Sequence, residues 1–435
     1  MGGGAMRPIA EYDLVIIGAG VVGACLAREL SRYDLRIALV EREVDVCFGT
    51  SKANSGIVHS GIHDRPGSLN ARLCVAGNRI FPGLAAELDL LYKRNGSLIV
   101  AQDPAGLPIL EELINNGSVN GVTGIQWVTG PEILKLEPNL APGLAGGLLV
   151  PSGGIIATYD LVFALVENAV ANGVSLRLAT EVTGIKETKD RLLLETNRGV
   201  IAARYGVNAA GIHSGQIARL AGDDSFAVIP RKGEEYLLDR RLEGLVSRTI
   251  FPLPSLDSKG ILVIPTMGGN IMIGPTARTA GSFGDRATSN AGWNEIYQSV
   301  HGLVPSIRPN DLITSFAGLR AISDRDDFII GPSPVLPRFF NAAGIKSPGI
   351  TAAPAIAQYL AEALQNAGLS LRPRRDFNPL RRLVRLRHLS REEQAKVMDA
   401  DRAYANIICR CELVSEAEIR DAIRRGATTI DGVKL

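Results

Sequence analysis

Tyr12-Asp13-Leu14-Val15-Ile16-Ile17-Gly18-Ala19-Gly20-Val21-Val22-Gly23 decides the fold of this chain. A buried apolar strand runs into glycines spaced G-x-G-x-x-G, and a small-residue helix follows. Gly18 and Gly20 let the backbone approach a pyrophosphate, whose charge the helix N-terminus faces, and Gly23 lets that helix pack closely on the strand. A second apolar run, Ile37-Ala38-Leu39-Val40, ends at Glu41. An acidic side chain there accepts ribose hydroxyls and repels a 2′-phosphate, so the ligand implied is FAD or NAD rather than NADP. A merely structural glycine turn would not carry strand, helix and acid in register.

Outward from this unit, the 435 residues are 46% hydrophobic and 21% charged, a composition suited to two globular domains. A net charge of +2 gives no argument for nucleic acid or a membrane surface. No apolar run reaches the roughly 18 residues of a spanning helix, and Met1 to Ala10 lacks a secretory signal. The expected location is cytoplasmic, with at most peripheral contact at the inner face of the membrane. The five cysteines, Cys25, Cys47, Cys74, Cys409 and Cys411, have no framework spacing, which fits a reducing compartment.

Asn54 to Arg65 is turn-rich and carries Ser55, His59, Ser60 and His63, before a helical stretch from Leu69 to Leu91. Gly96 to Ala101 reads as a strand, Pro131 to Pro138 as a short helix, and Tyr159 to Asn172 as a helix by its apolar spacing. Strands follow at Val174–Leu178, Glu181–Glu187, Arg191–Thr196 and Gly199–Ala203. The small residues Asn208-Ala209-Ala210-Gly211 return the chain to the nucleotide site. Between Ala227 and Arg278, short strands at Glu235–Leu238, Gly260–Pro265 and Asn270–Ile273 predict antiparallel sheet. Pro348 and Gly349 open a helix over Ala353–Ala367 with free first amides, a second anion-stabilising helix start. Arg372 to Arg391 is basic and reads as a solvated linker and helix face.

The glycine turn with Glu41, the run Asn54-Ser55-Gly56-Ile57-Val58-His59-Ser60-Gly61, Ala317-Gly318-Leu319-Arg320 and Ala343-Gly344-Ile345-Lys346-Ser347-Pro348-Gly349 together resemble the FAD-dependent oxidoreductases of the D-amino-acid-oxidase superfamily. The likeness spans about Tyr12 to Asn366 and is greatest to the glycerol-3-phosphate dehydrogenase and L-2-hydroxyglutarate oxidase branch. It implies an α/β fold, with a Rossmann-like FAD-binding domain over residues 11–90, 151–225 and 326–370. An inserted antiparallel-sheet substrate domain takes residues 91–150 and 226–325, a basic linker 371–400, and a small helical segment 401–435.

The resemblance also implies non-covalent FAD held by Gly18, Gly20, Val22, Gly23, Glu41, Arg42, Ser51, Asn54, Ser55, Val182, Ala210, Gly211, Gly344, Gly349, Ile350 and Thr351. His59 matches a base beside the flavin, and Arg320 and Lys346 match anion clamps; Lys232 is a weaker candidate, and His63 and His213 read as structural. The chemistry agrees, since alcohol oxidation needs a base near neutrality and a guanidinium grips a carboxylate or phosphate bidentately. The implied reaction is hydride transfer to flavin N5 from a small anionic alcohol, either glycerol 3-phosphate or a 2-hydroxy acid. Electrons then pass to a quinone, an electron-transfer protein or oxygen. Where glycerol-3-phosphate enzymes carry Arg-Tyr, this chain has His63-Asp64, which weakens the phosphate case. The rival readings are a secondary-amine or amino-acid oxidase on the same fold, and an FAD-carrying electron-transfer subunit.

Cys409-Arg410-Cys411-Glu412, followed by Val414 to Ile419, resembles the start of a bacterioferritin-associated-ferredoxin-like [2Fe-2S] domain. Such a cluster needs four thiolates and only two stand here. The expectation is therefore half a ligand set: truncated before a second pair, retained as a docking module for a partner subunit, or completed by that partner.

Overall fold

A computed structural model describes residues 8–254 and 260–434. The first seven residues of the Met1–Ala10 stretch and the terminal Leu435 lie outside it.

The first strand, Ala10–Ile17, sits inside an eight-stranded sheet, parallel to Ile37–Val40 on one side and Gly199–Asn208 on the other. Its residues are apolar on both faces because both are covered. Leu14 and Ile16 pack on the helices Val21–Leu30, Thr158–Ala171 and Gly349–Asn366; Val15 and Ile17 face Ile185, Leu192 and Leu194. Phe339–Ala343 extends the parallel sheet beside Gly199–Asn208, late sequence returning to the first strand's neighbour.

A nine-stranded sheet forms the second layer system. Its spine is the pair Val228–Leu238 and Leu312–Ser323, antiparallel along almost their whole length, with Arg231 opposite Arg320 and Gly233 opposite Gly318. This pair is longer than the Glu235–Leu238 strand read from sequence, and Leu312–Ser323 and the helix Asn290–Leu303 were not read at all. Small and polar residues interrupt their apolar alternation, so neither period stands out. The sheet is also not wholly antiparallel, since Thr249–Pro252 runs parallel to Ser97–Ala101. The roughly 150 residues between those two strands leave ample chain for the crossover a parallel pair needs.

The helix read to Leu91 stops at Leu88, because Asp89 takes a left-handed conformation at φ 54° and ends it. The basic segment is exposed along most of its length, as expected of a linker, except where Arg381 is buried against Asp160 and Glu167 and Arg385 bridges Asp160 and Asp89. Beyond it, Arg391–Ala400 and Glu416–Arg424 are helices, and Cys409 and Val414 pair in a short hairpin. No helix among the described residues is long and apolar enough to cross a membrane.

Candidate active site

At the glycine turn, Gly18 has φ +106°, and a Cβ there would lie 2.6 Å from the Ala209 carbonyl oxygen. A Cβ on Gly23 would lie 1.9 Å from the Gly18 carbonyl oxygen. The turn, the first helix and the strand return at Ala209 therefore meet at backbone contact. Gly20 supplies no side chain to cap the helix; Ser51 Oγ accepts from Val21 N at 3.0 Å instead. Glu41 Oε2 accepts from Ala19 N at 2.8 Å and Oε1 from Glu43 N at 3.1 Å. Its carboxylate braces the turn while each oxygen keeps a lone pair for a ribose hydroxyl. Behind Ala209–Gly211, Asn208 donates to Asn341 at 3.0 Å, and Asn341 and Ser333 donate to Asp223 at 3.0 and 2.8 Å. This buried network fixes the return strand in place.

A cavity of about 940 Å³ opens from this turn and runs to the spine of the second sheet. Its length, its glycine cradle and an acid at one end fit an extended dinucleotide. All the residues expected around the cofactor line it except Gly23, Gly344 and Thr351. Gly23 lies beneath Gly18, as close packing requires. Gly344 has φ +65° and abuts Ser323, so it turns the chain behind the wall. Thr351 is fully buried and its hydroxyl accepts from His59 N at 2.8 Å, which directs it to the neighbouring loop rather than to the cavity.

His59 lies on the cavity wall, its Nε2 3.1 Å from Ser347 Oγ. Its backbone is held from both sides, by Thr351 at the amide and by Asn78 Nδ2, which donates to the carbonyl at 2.9 Å. Lys346 and Ser347 come from the loop before Gly349–Asn366, a helix with no side-chain cap at its N-terminus. That uncapped end faces the cavity through Gly349 and Ile350.

Strand alternation decides which side chains reach the cavity from the spine. Arg231, Gly233 and Glu235 face it, whereas Lys232 turns away to pair with Asp285 at 3.0 Å, removing it as a candidate. Glu234 also turns away, accepting from Tyr236 Oη and Ser289 N. Arg320 folds over Gly233, where a Cβ would sit 2.5 Å from its Nη2, and donates to the Thr276 carbonyl at 2.9 Å. Burial lowers its pKa, with Glu235 opposing, yet a guanidinium stays charged at neutrality.

Glu235 is the residue that sequence reading missed. It is 5% exposed, and Ser55 Oγ donates to its Oε1 at 2.6 Å. Burial pushes its carboxyl up to about 7, with the Ser55 hydrogen bond and the Arg320 charge pulling it down. The signal was the doublet Glu234-Glu235 in a strand, which places an acid on each face. His63 also belongs to the cavity wall, its ring 5.0 Å from that of Phe251, and Arg65 lies there in an ion pair with Asp326 at 3.1 Å.

The profile of the FAD dependent oxidoreductase family (DAO) matches residues 13–363. The chain belongs to this family. The chain is similar to the glycerol 3-phosphate dehydrogenase of Caloramator mitchellensis, 40% identical across 97% of this chain and 89% of that one. The glycerol 3-phosphate oxidase of Mycoplasma pneumoniae is 33% identical over 79% of this chain and 92% of its own, and the L-2-hydroxyglutarate dehydrogenase of Escherichia coli K12 is 29% identical over 61% and 64%. Among solved structures, the dithionite-reduced L-alpha-glycerophosphate oxidase of Mycoplasma pneumoniae with FAD bound superposes with a TM-score of 0.83 at 31% identity, covering 86% of this chain and all of that one. The FAD oxidoreductase fold and the FAD cofactor follow from this membership.

Residues 407–435 match the BFD-like [2Fe-2S] binding domain. Cys409 is half-buried and Cys411 exposed, while Cys25, Cys47 and Cys74 are buried in the body of the protein. Burial pushes the thiols of Cys25 and Cys47 up to about 12, so neither is poised as a thiolate. No group of three or more histidine, cysteine or acidic side chains with metal-binding placement occurs among the described residues. Two thiolates do not fit a cluster that takes four.

Proposed function

We propose that this flavoprotein oxidises the secondary hydroxyl of glycerol 3-phosphate. The observation that carries the reading is the cationic wall: Arg65, Arg231, Arg320 and Lys346 all line the cavity that holds His59. Arg65, one residue beyond His63-Asp64 where the expected arginine is missing, adds a cation to this wall that it shares with Asp326. A phosphate's two charges suit several cations better than a single clamp does. High identity to a glycerol 3-phosphate dehydrogenase over nearly the whole chain supports the same assignment.

In this reading, Gly18, Gly20, Glu41 and Ser51 hold the dinucleotide portion of FAD, which supplies the hydride acceptor. Arg320 and Lys346 grip the phosphate and so fix the carbinol carbon. His59 Nε2 takes the hydroxyl proton, and its clasp between Thr351 and Asn78 keeps the ring aimed. The uncapped helix start at Gly349 stabilises negative charge developing on the reduced cofactor. Turnover then needs an electron acceptor, for which an electron-transfer protein, a quinone or oxygen would serve.

The test is anaerobic titration of the purified holoprotein with glycerol 3-phosphate and, separately, L-2-hydroxyglutarate, following flavin absorbance. Bleaching by glycerol 3-phosphate at the lower concentration is expected. Bleaching by the hydroxy acid alone would overturn the assignment.

A further inference from the structure

Lys232 and His213 have no part in the proposed reaction, yet one loop joins them. The loop from Ala280 to Thr288 is anchored at both ends to the spine of the second sheet: Ala280 N donates to the Pro230 carbonyl at 3.1 Å, and the Thr288 and Ser315 hydroxyls pair at 3.0 Å. Lys232 Nζ fastens its middle, donating to Asp285 Oδ1 at 3.0 Å and to the Ala287 carbonyl at 3.1 Å. Arg286, between those two residues, is exposed and lines the cavity. The loop also crosses to the first domain, where the Phe283 ring stacks on that of His213 with centroids 5.5 Å apart and planes at 29°. His213 ends the short turn Gly211–His213, which follows directly on Ala209 and Ala210, the residues lying against Gly18 of the glycine turn.

We propose that this loop is a clasp by which the second domain holds the cofactor, with the Arg286 guanidinium paired to the pyrophosphate of FAD. The charge on Arg286 is uncompensated within the protein. It has no ion pair among the described residues, and the adjacent Asp285 is taken by Lys232. Arg42, the other guanidinium on this part of the wall, is paired with Glu43 at 3.1 Å. Burial lowers the pKa of His213, the Gln216 hydrogen bond opposes, and the Arg42 and Arg286 charges lower it further, as two guanidiniums beside the ring must. Arg286 therefore stands at the glycine-turn end of the cavity, away from Lys346 and His59. The pyrophosphate is the charged group of FAD, and a guanidinium meets two phosphate oxygens at once. Gly18, Gly20 and the first helix start receive that group from the first domain, and Arg286 receives it from the second.

The experiment compares FAD release from the wild-type holoprotein and from R286Q, an exposed substitution that leaves the core untouched. Each protein is diluted at about 50 mM and about 500 mM salt, a range over which exposed charges become screened, and free FAD is followed by its fluorescence. At the lower salt the dissociation constant for FAD should be about tenfold higher in R286Q, the loss of one charge-assisted hydrogen bond. At the higher salt that gap should narrow to about threefold or less. K232M, which unfastens the loop and frees Asp285 to take Arg286 for itself, should weaken FAD binding to a similar degree. The double variant K232M/R286Q should lose no more than either single one, since both act through one guanidinium. An FAD dissociation constant in R286Q within about twofold of wild type, a loss equal at both salt concentrations, or additive losses in the double variant would overturn the proposal. The assay needs no substrate, so its result holds whichever alcohol reduces the flavin.

Discussion

Gly23 shows how little tolerance a single position has at the nucleotide turn. A methyl there would lie 1.9 Å from the Gly18 carbonyl oxygen, so Gly23→Ala must push the first helix off the turn or distort the turn itself. The variant should fold, because the surrounding core is large, yet purify with several-fold less flavin per chain by absorbance; full flavin content would refute the account. Glu235 makes a second residue-scale prediction, about stability. Its folded pKa of about 7 lies above the ordinary carboxyl value of 4.5, so the native state keeps its proton to higher pH than the unfolded chain does. Stability should then fall as pH rises from about 4.5 to 7, by up to roughly 3 kcal/mol, and level off above. E235Q should lack that slope. Denaturant midpoints of both proteins at about pH 5 and pH 8 would show whether the difference between them grows with pH, as required.

Between elements, the critical contact is the crossing of Leu69–Leu88 with Gly349–Asn366. They meet at Gly77, where a Cβ would be 1.9 Å from the Thr351 carbonyl oxygen. Thr351 in turn receives the His59 amide, so the depth of this crossing sets where the histidine stands. Gly77→Ala should therefore displace Thr351 and lower kcat about tenfold or more while flavin stays bound, since small displacements of catalytic groups are costly. A variant with wild-type kcat would show that His59 is positioned independently of the crossing. The uncapped helix start belongs to the same scale. Pro348 offers it no capping side chain, and Gly349 N donates to the Lys346 carbonyl at 2.8 Å, which leaves the later amides of the first turn without a side-chain cap.

Across the whole molecule, the basic strap ties the C-terminal segment to the first domain. Arg381 Nε pairs with Glu167 at 2.6 Å, Leu386 N donates to Glu418 at 3.1 Å, and Thr429 Oγ1 donates to Asp45 at 2.7 Å. Arg381 and Asp160 are each less than a tenth exposed, and removing the cation leaves Asp160 with Arg385 alone and Glu167 with Arg425 alone. Arg381→Ala should cost about 2 kcal/mol and lower the melting temperature. The flavin chemistry, which lies elsewhere, should keep its kcat. An unchanged melting temperature would mean that the strap's ion pairs carry no net stability.

The local chemistry of the chain was legible without coordinates. Glycine spacing, the acid after the second strand and the apolar runs follow from backbone sterics and short-range periodicity, which act within a few residues, so the nucleotide turn and its strands could be read directly. His59, Arg320 and Lys346 were reached through motifs, and the fold brings all three to one cavity. Other features depended on which strand neighbours which. Only the pairing of Val228–Leu238 with Leu312–Ser323 puts Arg320 over Gly233 beside Glu235, and only alternation along that pair turns Lys232 outward. The same holds for Arg381 of the strap, whose charge suggests solvent until Asp160 and Glu167, more than 200 residues away, come to meet it. Burial, and the pKa it raises, is a property of neighbours distant in the chain, and those neighbours exist only once the chain has folded.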